Sequence, residues 1–173
     1  VVGSRRFVEL VDLIPSDKVP FIVMLDGIED PFNFGYAIRA MYAAGVDGVV
    51  VRPRNWTTAS SVVGRASAGA AERIPMAVSD TAESAAEVYR QHHLTIATTA
   101  KSDKSLSLFQ ANLKQPLFIL IGGERRGVTR SFMNQADMLL EIPYGREFDQ
   151  SLGTVSAVST IAFEVLRQHQ QDD

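Results

Sequence analysis

Runs of apolar residues about as long as a β-strand alternate along the chain with segments whose apolar residues recur at helical spacing. Six runs are rich in branched or aromatic side chains and have strand length, at residues 21–28, 46–51, 74–78, 94–100, 116–123 and 138–144. Strands that alternate with helices form parallel sheets covered on both faces. The pattern therefore predicts an α/β domain with a mostly parallel, six-stranded sheet and helices on both faces.

Several of the predicted helices have recognisable ends. The first runs over residues 33–45, where Gly45 is a natural C-terminal cap, and Thr81 precedes a helix that extends to residue 93. The last helix, over residues 151–169, has the clearest apolar stripe. Shorter helices are predicted at residues 59–70, 105–111 and 129–136.

Length and composition fit one globular domain. The chain has 173 residues, of which 46% are hydrophobic and 21% are charged. We expect the domain to occupy residues 21–173 and residues 1–20 to be a connector from a substrate-recognition domain. No apolar run approaches the roughly 20 residues that a membrane span requires. The absence of cysteine excludes disulfides and thiolate metal sites, and it predicts a cytoplasmic protein.

The charge pattern leaves nucleic-acid binding open. The net charge of −3 gives no overall argument for a nucleic-acid partner. However, thirteen of the seventeen basic residues are arginines, whose planar guanidinium matches phosphate geometry. They cluster at Arg5 and Arg6, Arg52 and Arg54, Arg65 and Arg73, and Arg125, Arg126 and Arg130. A solvated, salt-bridged surface would carry the same clusters.

Three strand ends carry more glycine, proline and charge than a plain turn needs. The first strand ends in "DGIEDPFNFG", the fifth in "IGGERRG" and the sixth in "IPYGREFDQSLG". Since ligands bind beyond the carboxyl ends of parallel strands, these segments predict a site for a nucleotide-like ligand. Each segment alone is also explained by a strand-to-helix turn, and Arg39 alone by a surface side chain.

Two common kinds of site are excluded. The three histidines lie in polar segments without metal-ligand spacing, and with no cysteine present we expect no metal site. A Ser-His-Asp triad on a nucleophile elbow is also excluded, since the chain has no Gly-x-Ser-x-Gly. The glycine-rich segment is neither a Walker A loop nor a full Gly-x-Gly-x-x-Gly fingerprint.

Taken together and in order, the three segments resemble the signature motifs of the SpoU/TrmH-type RNA 2′-O-ribose methyltransferases of the SPOUT superfamily. The residues that carry the resemblance are Asn33, Gly35 and Arg39 in the first motif, Gly123, Glu124 and Gly127 in the second, and Ile142, Pro143, Ser151 and Leu152 in the third. The resemblance covers about residues 21–168.

This resemblance implies a deep trefoil knot in the C-terminal third and S-adenosylmethionine as the cofactor, with no metal. The implied cofactor-binding residues are Thr98, Thr99, Ala100, Ile121, Gly122, Gly123, Gly127, Ile142, Pro143, Ser151, Leu152 and Val155. It also implies a homodimer with the site at the dimer interface, completed by Arg39 from one protomer.

The resemblance further implies catalytic roles and a partner. Arg39 would orient and electrostatically activate a ribose 2′-hydroxyl, Asn33 and Glu124 would shape the pocket and position Arg39, and Ser151 would hydrogen-bond near the acceptor. The partner would be RNA, either rRNA or tRNA, rather than DNA, because only RNA has the 2′-hydroxyl.

The third motif departs from the family at one position. The family usually has Ser-Leu-Asn, and this chain has Gly153 in place of the asparagine. The leading hypothesis is an S-adenosylmethionine-dependent RNA 2′-O-methyltransferase. The alternatives are a catalytically weak RNA-binding homologue and a different α/β protein whose "GGERRG" segment binds a nucleotide phosphate.

Overall fold

The strands of the computed structural model all run in the same direction within one sheet. The model describes residues 7–53, 60–123 and 127–171. The strands in those ranges are β1 (Phe21–Asp26), β2 (Gly48–Val51), β3 (Met76–Val78), β4 (Thr95–Thr99), β5 (Leu106–Ser107), β6 (Leu117–Gly122) and β7 (Met138–Glu141). The α-helices there are α1 (Pro31–Ala43), α2 (Ser60–Ala66), α3 (Ala82–Gln91), α4 (Arg130–Gln135) and α5 (Thr154–Gln170). Short 3-10 helices lie at Leu10–Leu13 and Ala70–Glu72.

Both faces of the sheet are buried. The strand order is β3-β2-β1-β6-β4-β7-β5, and each neighbouring pair is parallel. Along β1, Phe21, Val23 and Leu25 belong to one apolar cluster, with α1, α2 and α5. Ile22 and Met24 belong to the other, with α3 and α4. The α/β class and the two covered faces are therefore as the sequence predicts.

One predicted element is wrong. The segment 105–111, predicted as a helix, begins with β5, whose Leu106 and Ser107 pair with Leu140 and Glu141 of β7. The N–H of Leu108 also donates to the carbonyl of Glu141. Leu108 and Ala111 are both buried, and their spacing of three residues is also that of a helix. Their backbone N–H groups, however, donate to Glu141 of β7 and, within a turn, to Ser107. The sheet therefore has seven described strands rather than six.

Helix α1 begins two residues before the predicted start. Asp30 is its N-terminal cap: Oδ1 accepts from the N–H groups of Phe32 (2.8 Å) and Asn33 (3.4 Å). Pro31 occupies the first helical position, where its missing N–H is not needed and its φ is already helical. Gly45, with φ of 86°, follows the end of the helix as predicted. The proline thus starts the helix rather than forming a separate turn.

The described part of the segment 1–20 lies against the sheet. The N–H of Val8 donates to the carbonyl of Met76 on β3, and the buried Leu13 packs on Gly48 of β2. The hydroxyl of Tyr89 on α3 donates to the carbonyl of Leu10. That residues 1–20 are a connector from a substrate-recognition domain stays a prediction. In the described ranges, no helix has the length and apolar character that crossing a membrane requires.

The C-terminal end of α5 is fastened to the connection between β5 and β6. The buried Gln168 accepts from the N–H of Leu113 (2.8 Å) and donates to the carbonyl of Ala111 (3.0 Å). It also donates to Glu164, whose carboxylate accepts two hydrogen bonds from Arg167. The hydrogen bond from Arg167 lowers the pKa of Glu164. These bonds fix the direction in which α5 crosses the sheet.

Gly35 is required by the close approach of α1 to α2, and this leads to a first prediction. A Cβ at residue 35 would lie 2.6 Å from the Cβ of Ala66 and 3.1 Å from the carbonyl oxygen of Val63. We expect Gly35→Ala to lower the free energy of unfolding by about 1–2 kcal/mol, because the helices must move apart. Urea denaturation measures this change.

Gly64 on α2 provides a matched control, since a Cβ there would have no atom within 4 Å. Gly64→Ala should raise the free energy of unfolding by about 0.5–1 kcal/mol, through helix propensity alone. Equal effects of the two substitutions would contradict the close approach of the helices.

Candidate active site

The carboxyl ends of four central strands lie side by side. Asp26 at the end of β1 pairs in register with Gly122 at the end of β6, and Thr99 at the end of β4 pairs with Leu140 of β7. Beyond these ends lies a cavity of about 830 Å³, bounded by the segments after β4, β6 and β7 and by the start of α5. Its position is the one at which parallel α/β sheets bind ligands.

Most of the predicted cofactor-binding residues line this cavity. They lie at the end of a strand, in the segment that follows it, or directly before α5, and they are Thr99, Ala100, Ile121, Gly122, Gly123, Gly127, Ile142, Ser151 and Leu152. Three separate segments of the sequence thus contribute to the lining of one cavity. We call this cavity of about 830 Å³ the main cavity.

Three predicted cofactor-binding residues do not line the main cavity. Thr98 is fully buried, and its hydroxyl donates to the carbonyl of Leu120, so that it cross-links β4 to β6. Pro143 is exposed and Val155 is half-buried, and neither borders the cavity. Side chains alternate along a strand, which explains why Thr98 and its neighbour Thr99 have different surroundings.

A second cavity, of about 590 Å³, adjoins the first motif. It is lined by residues 27–33, including the predicted catalytic residue Asn33. Thr154, the buried first residue of α5, borders both this cavity and the main one. The start of α5 is therefore a wall that the two cavities share.

The loops after β1 and β6 touch through their backbones. A Cβ added at Gly123 would overlap the carbonyl group of Gly27, and Gly27 itself has φ of 84°. The end of β1 is further held by Arg52 of the neighbouring segment, whose Nη2 and Nε lie 3.0 Å and 2.9 Å from the Asp26 carboxylate oxygens. The close contact requires glycine at residue 123 and couples the positions of the two loops.

The four predicted catalytic residues do not all meet in one chain. Ser151 lines the main cavity and Asn33 lines the second cavity. Arg39 is exposed on α1, borders neither cavity and makes no hydrogen bond or ion pair with the described residues. Glu124 lies outside the described residues. The chain by itself thus brings Ser151 and Asn33 to neighbouring cavities, separated by Thr154, and leaves Arg39 on the surface.

Residues 144–150, which we call the flap, are a part of the site that the sequence analysis did not resolve into individual residues. Tyr144, Arg146 and Phe148 all line the main cavity. The Tyr144 hydroxyl donates to the carbonyl of Gln150 at 2.9 Å and closes the flap on itself. Two aromatic residues within a charged segment that has no apolar period are the sequence signal that could have indicated such a surface.

Gly153 is the N-terminal cap of α5. It provides no side-chain acceptor for the first turn of this 17-residue helix. An asparagine there, as in the family motif, would offer a side-chain oxygen to those N–H groups. Because residues on both sides of Gly153 line the main cavity, the substitution removes an amide from the edge of the site.

The described residues provide no metal site. Nowhere in the ranges 7–53, 60–123 and 127–171 do three His, Cys, Asp or Glu side chains come together as metal ligands would.

Comparison with known proteins decides the family. The model of the SpoU rRNA methylase family matches residues 20–163. The chain belongs to the SpoU family. Among curated members, it is 33% identical over 92% of its length to the 23S rRNA (guanosine-2′-O-)-methyltransferase RlmB of Shewanella oneidensis, and 32% identical over 96% to RlmB of Pseudomonas aeruginosa. It spans 64% and 65% of the lengths of these two relatives.

Solved structures agree with this family assignment. The AdoMet-bound rRNA methyltransferase from Sinorhizobium meliloti superposes with a TM-score of 0.76 at 26% identity, over 94% of this chain and 61% of that one. The parallel sheet with its helices is thus a SpoU fold.

The contact between Gly27 and Gly123 leads to a second prediction. Gly123→Ala should separate the loops after β1 and β6, because the added methyl group would overlap the carbonyl group of Gly27. We expect a loss of about 1–3 kcal/mol in the free energy of unfolding and faster amide exchange at residues 27–33. Hydrogen–deuterium exchange with mass spectrometry measures the second effect.

Gly145 in the flap is the control for this substitution, since a Cβ there would have no atom within 4 Å. Gly145→Ala should leave exchange at residues 27–33 unchanged. If Gly123→Ala also leaves it unchanged, the two loops are not coupled.

Proposed function

We propose that this chain is the catalytic part of an S-adenosylmethionine-dependent RNA 2′-O-ribose methyltransferase. The observation that carries the proposal is the main cavity at the carboxyl edge of the sheet, lined by nine of the twelve predicted cofactor-binding residues in a chain of the SpoU family. The two curated relatives above are named as guanosine methyltransferases of 23S rRNA, so guanosine in ribosomal RNA is the first substrate to test. A tRNA substrate is the second.

The main cavity fits the proposed cofactor. Its inner lining combines apolar side chains such as Ile121 and Ile142 with the backbones of Gly122 and Gly123, while Lys101 and several carboxylates contribute charges of both signs. This suits a ligand that has a flat adenine at one end and a charged amino acid at the other. When bound, S-adenosylmethionine supplies a methyl group on a positively charged sulfur.

The chain's own residues would act on the acceptor hydroxyl. Arg39 carries a guanidinium that remains charged at any physiological pH, so it is a poor base and a good electrostatic partner for a hydroxyl that loses its proton. The Ser151 hydroxyl would hydrogen-bond near the acceptor, and Asn33 would shape the second cavity around the nucleotide. Their main contribution is alignment, because an in-line displacement depends on the placement of its reactants.

A homodimer is the assembly that would bring Arg39 to the site. Arg39 borders neither cavity of its own chain, and it shares an exposed face of α1 with Phe32 and Tyr36, which are 54% and 46% exposed. Phe163 on α5 is 45% exposed as well. Apolar rings on the surface of adjacent helices are typical of an interface between subunits. We propose that Arg39 of one protomer completes the site of its partner.

We further propose that the C-terminal third forms a trefoil knot and that the enzyme acts in the cytoplasm. The strand order supports the knot: of the strands β4, β5, β6 and β7, no two that are consecutive in the chain are neighbours in the sheet. The connections between these four strands therefore span overlapping parts of the sheet, as the proposed knot requires.

Gly153 favours a second candidate function. Without the asparagine amide at this position, the chain would bind cofactor and RNA but transfer the methyl group slowly. A catalytically weak RNA-binding homologue of the same fold has these properties. Measurement of RNA methylation by the wild-type chain separates the two candidates.

The activity test is methylation of unmodified 23S rRNA, followed by mass spectrometry of the nucleosides. We expect a 2′-O-methylated guanosine with the wild-type chain and a decrease of at least about a hundredfold with Arg39→Ala, which removes the charge that stabilises the developing oxyanion. Calorimetry should show unchanged binding of S-adenosylmethionine to the variant. Arg90→Ala on α3, beyond the opposite face of the sheet, is the control and should remain active. If no ribose methylation of rRNA or tRNA occurs, the enzymatic proposal is wrong.

Mixing two inactive variants tests whether Arg39 acts on the partner. In a mixed dimer of Arg39→Ala and Ser151→Ala, one of the two sites would combine an intact Ser151 with an intact Arg39 from the other chain. After random reassembly we expect about a quarter of the wild-type activity to return. If Arg39 acts within its own chain, every site remains defective and mixing restores nothing.

A further inference from the structure

Two aromatic rings lie at the main cavity without being part of the core. Phe148 is 55% exposed and Tyr144 is 37% exposed, and both line the cavity. Their ring centroids are 6.2 Å apart at an interplanar angle of 43°. An aromatic side chain that leaves more than half of its surface in water contributes little to the stability of the fold. The Phe148 ring is therefore available for contact with a ligand.

One hydrogen bond within the flap constrains the position of Tyr144. The Tyr144 hydroxyl donates a hydrogen bond to the Gln150 carbonyl, so the two ends of the flap are joined. This donor is therefore already engaged within the chain. Gln150 directly precedes Ser151, the residue assigned to the acceptor ribose. The bond thus connects the Tyr144 ring to the residue next to Ser151.

The charges beside the rings have both signs, since Glu147 and Asp149 flank Phe148 and line the cavity as well, but two of the groups are cations that suit RNA. Arg146 of the same flap and Lys101 after β4 both line the cavity, and both can contact phosphate. Ile121 and Leu140, which line the cavity, are buried, whereas Phe148 lies on an exposed segment that borders it. A group that contacts both Phe148 and solvent is better explained by the incoming nucleotide than by an enclosed cofactor.

We propose that Phe148, supported by Tyr144, stacks on the base of the nucleotide whose ribose is methylated. Aromatic rings bind unpaired RNA bases in this way because each base has a π-face. This role rests on the proposed methyltransferase function and makes the flap a determinant of RNA binding. Phe148 would position the substrate and would take no part in the chemical step.

Kinetics of the full chain test the proposal. We expect Phe148→Ala to raise the KM for unmodified 23S rRNA about tenfold, as the loss of one stacked base predicts, and to leave kcat within about twofold. Phe148→Tyr keeps a ring and should restore the KM. The dissociation constant for S-adenosylmethionine, measured by calorimetry, should be unchanged in both variants.

Phe109 is the matched control, since it is 54% exposed and borders neither the main nor the second cavity. Phe109→Ala should leave the KM for RNA unchanged. An equal increase in KM for both alanine variants would overturn the proposal, because it would show a general effect of losing an exposed ring.

Fluorescence tests stacking independently of catalysis. The sequence has one tryptophan, Trp56, so the double variant Trp56→Phe, Phe148→Trp has a single tryptophan, on the flap, which can be excited selectively over the tyrosines. We expect quenching by a short single-stranded oligoribonucleotide that contains guanosine, and none by S-adenosylmethionine alone. Quenching without any methylation would support the stacking and leave only the enzymatic proposal refuted.

Two results would overturn the assignment of Phe148. If Phe148→Ala weakens the binding of S-adenosylmethionine by the same factor as that of RNA, the ring contacts the cofactor. If neither the KM for RNA nor the fluorescence of Trp at residue 148 responds to RNA, the ring contacts no base.

Discussion

Parallel strands in one sheet must end at the same edge, and the position of the site depends on this constraint. The strand β6 is paired with β1 on one side and β4 on the other, and β7 is paired with β4. The segments that follow β4, β6 and β7 are thereby brought to one cavity, and the segment that follows β1 is brought to the neighbouring one. The side chains that bury both faces of the sheet stabilise this arrangement, because a shift of register by one residue would exchange the two apolar clusters. The loops themselves can then consist of glycine, proline and charged residues.

The two cavities at that edge are not independent. Gly27 and Gly123 touch through their backbones, and the buried Thr154 borders both cavities. In the proposed enzyme, the main cavity binds the methyl donor, and the acceptor nucleotide extends from Phe148 at the border of that cavity to the second cavity. The Gly27–Gly123 contact and the start of α5 fix the position of one cavity relative to the other. A displacement reaction requires such a fixed placement of donor and acceptor. Gly153 lies beside the start of α5, so the loss of an asparagine there affects the part of the site in which small displacements matter most.

The spacing of apolar residues along the chain predicted the longer helices and strands correctly. It failed where contacts with residues distant in the sequence determine the secondary structure or the surroundings of a side chain. The strand β5 has two residues and is formed by pairing with β7, so the spacing of Leu108 and Ala111 alone resembled a helix. Thr98 was grouped with Thr99, although only the latter borders the cavity. The place of Arg39 depends on an exposed face of α1, and no property of a single chain predicts what covers that face. By contrast, the glycine-rich strand ends were predicted well, because close backbone contacts leave a direct trace in the sequence.

Titration of the uniformly 15N-labelled chain with S-adenosylmethionine, followed by NMR of the backbone amides, tests the central claim most directly. A cofactor bound at the carboxyl edge of the sheet should shift the amides of residues 99–101, 121–123 and 151–154 in a saturable way. The amides of α3, on the far face, should not shift. An absence of saturable shifts, or shifts confined to residues outside the main cavity, would contradict the assignment of this cavity to the methyl donor.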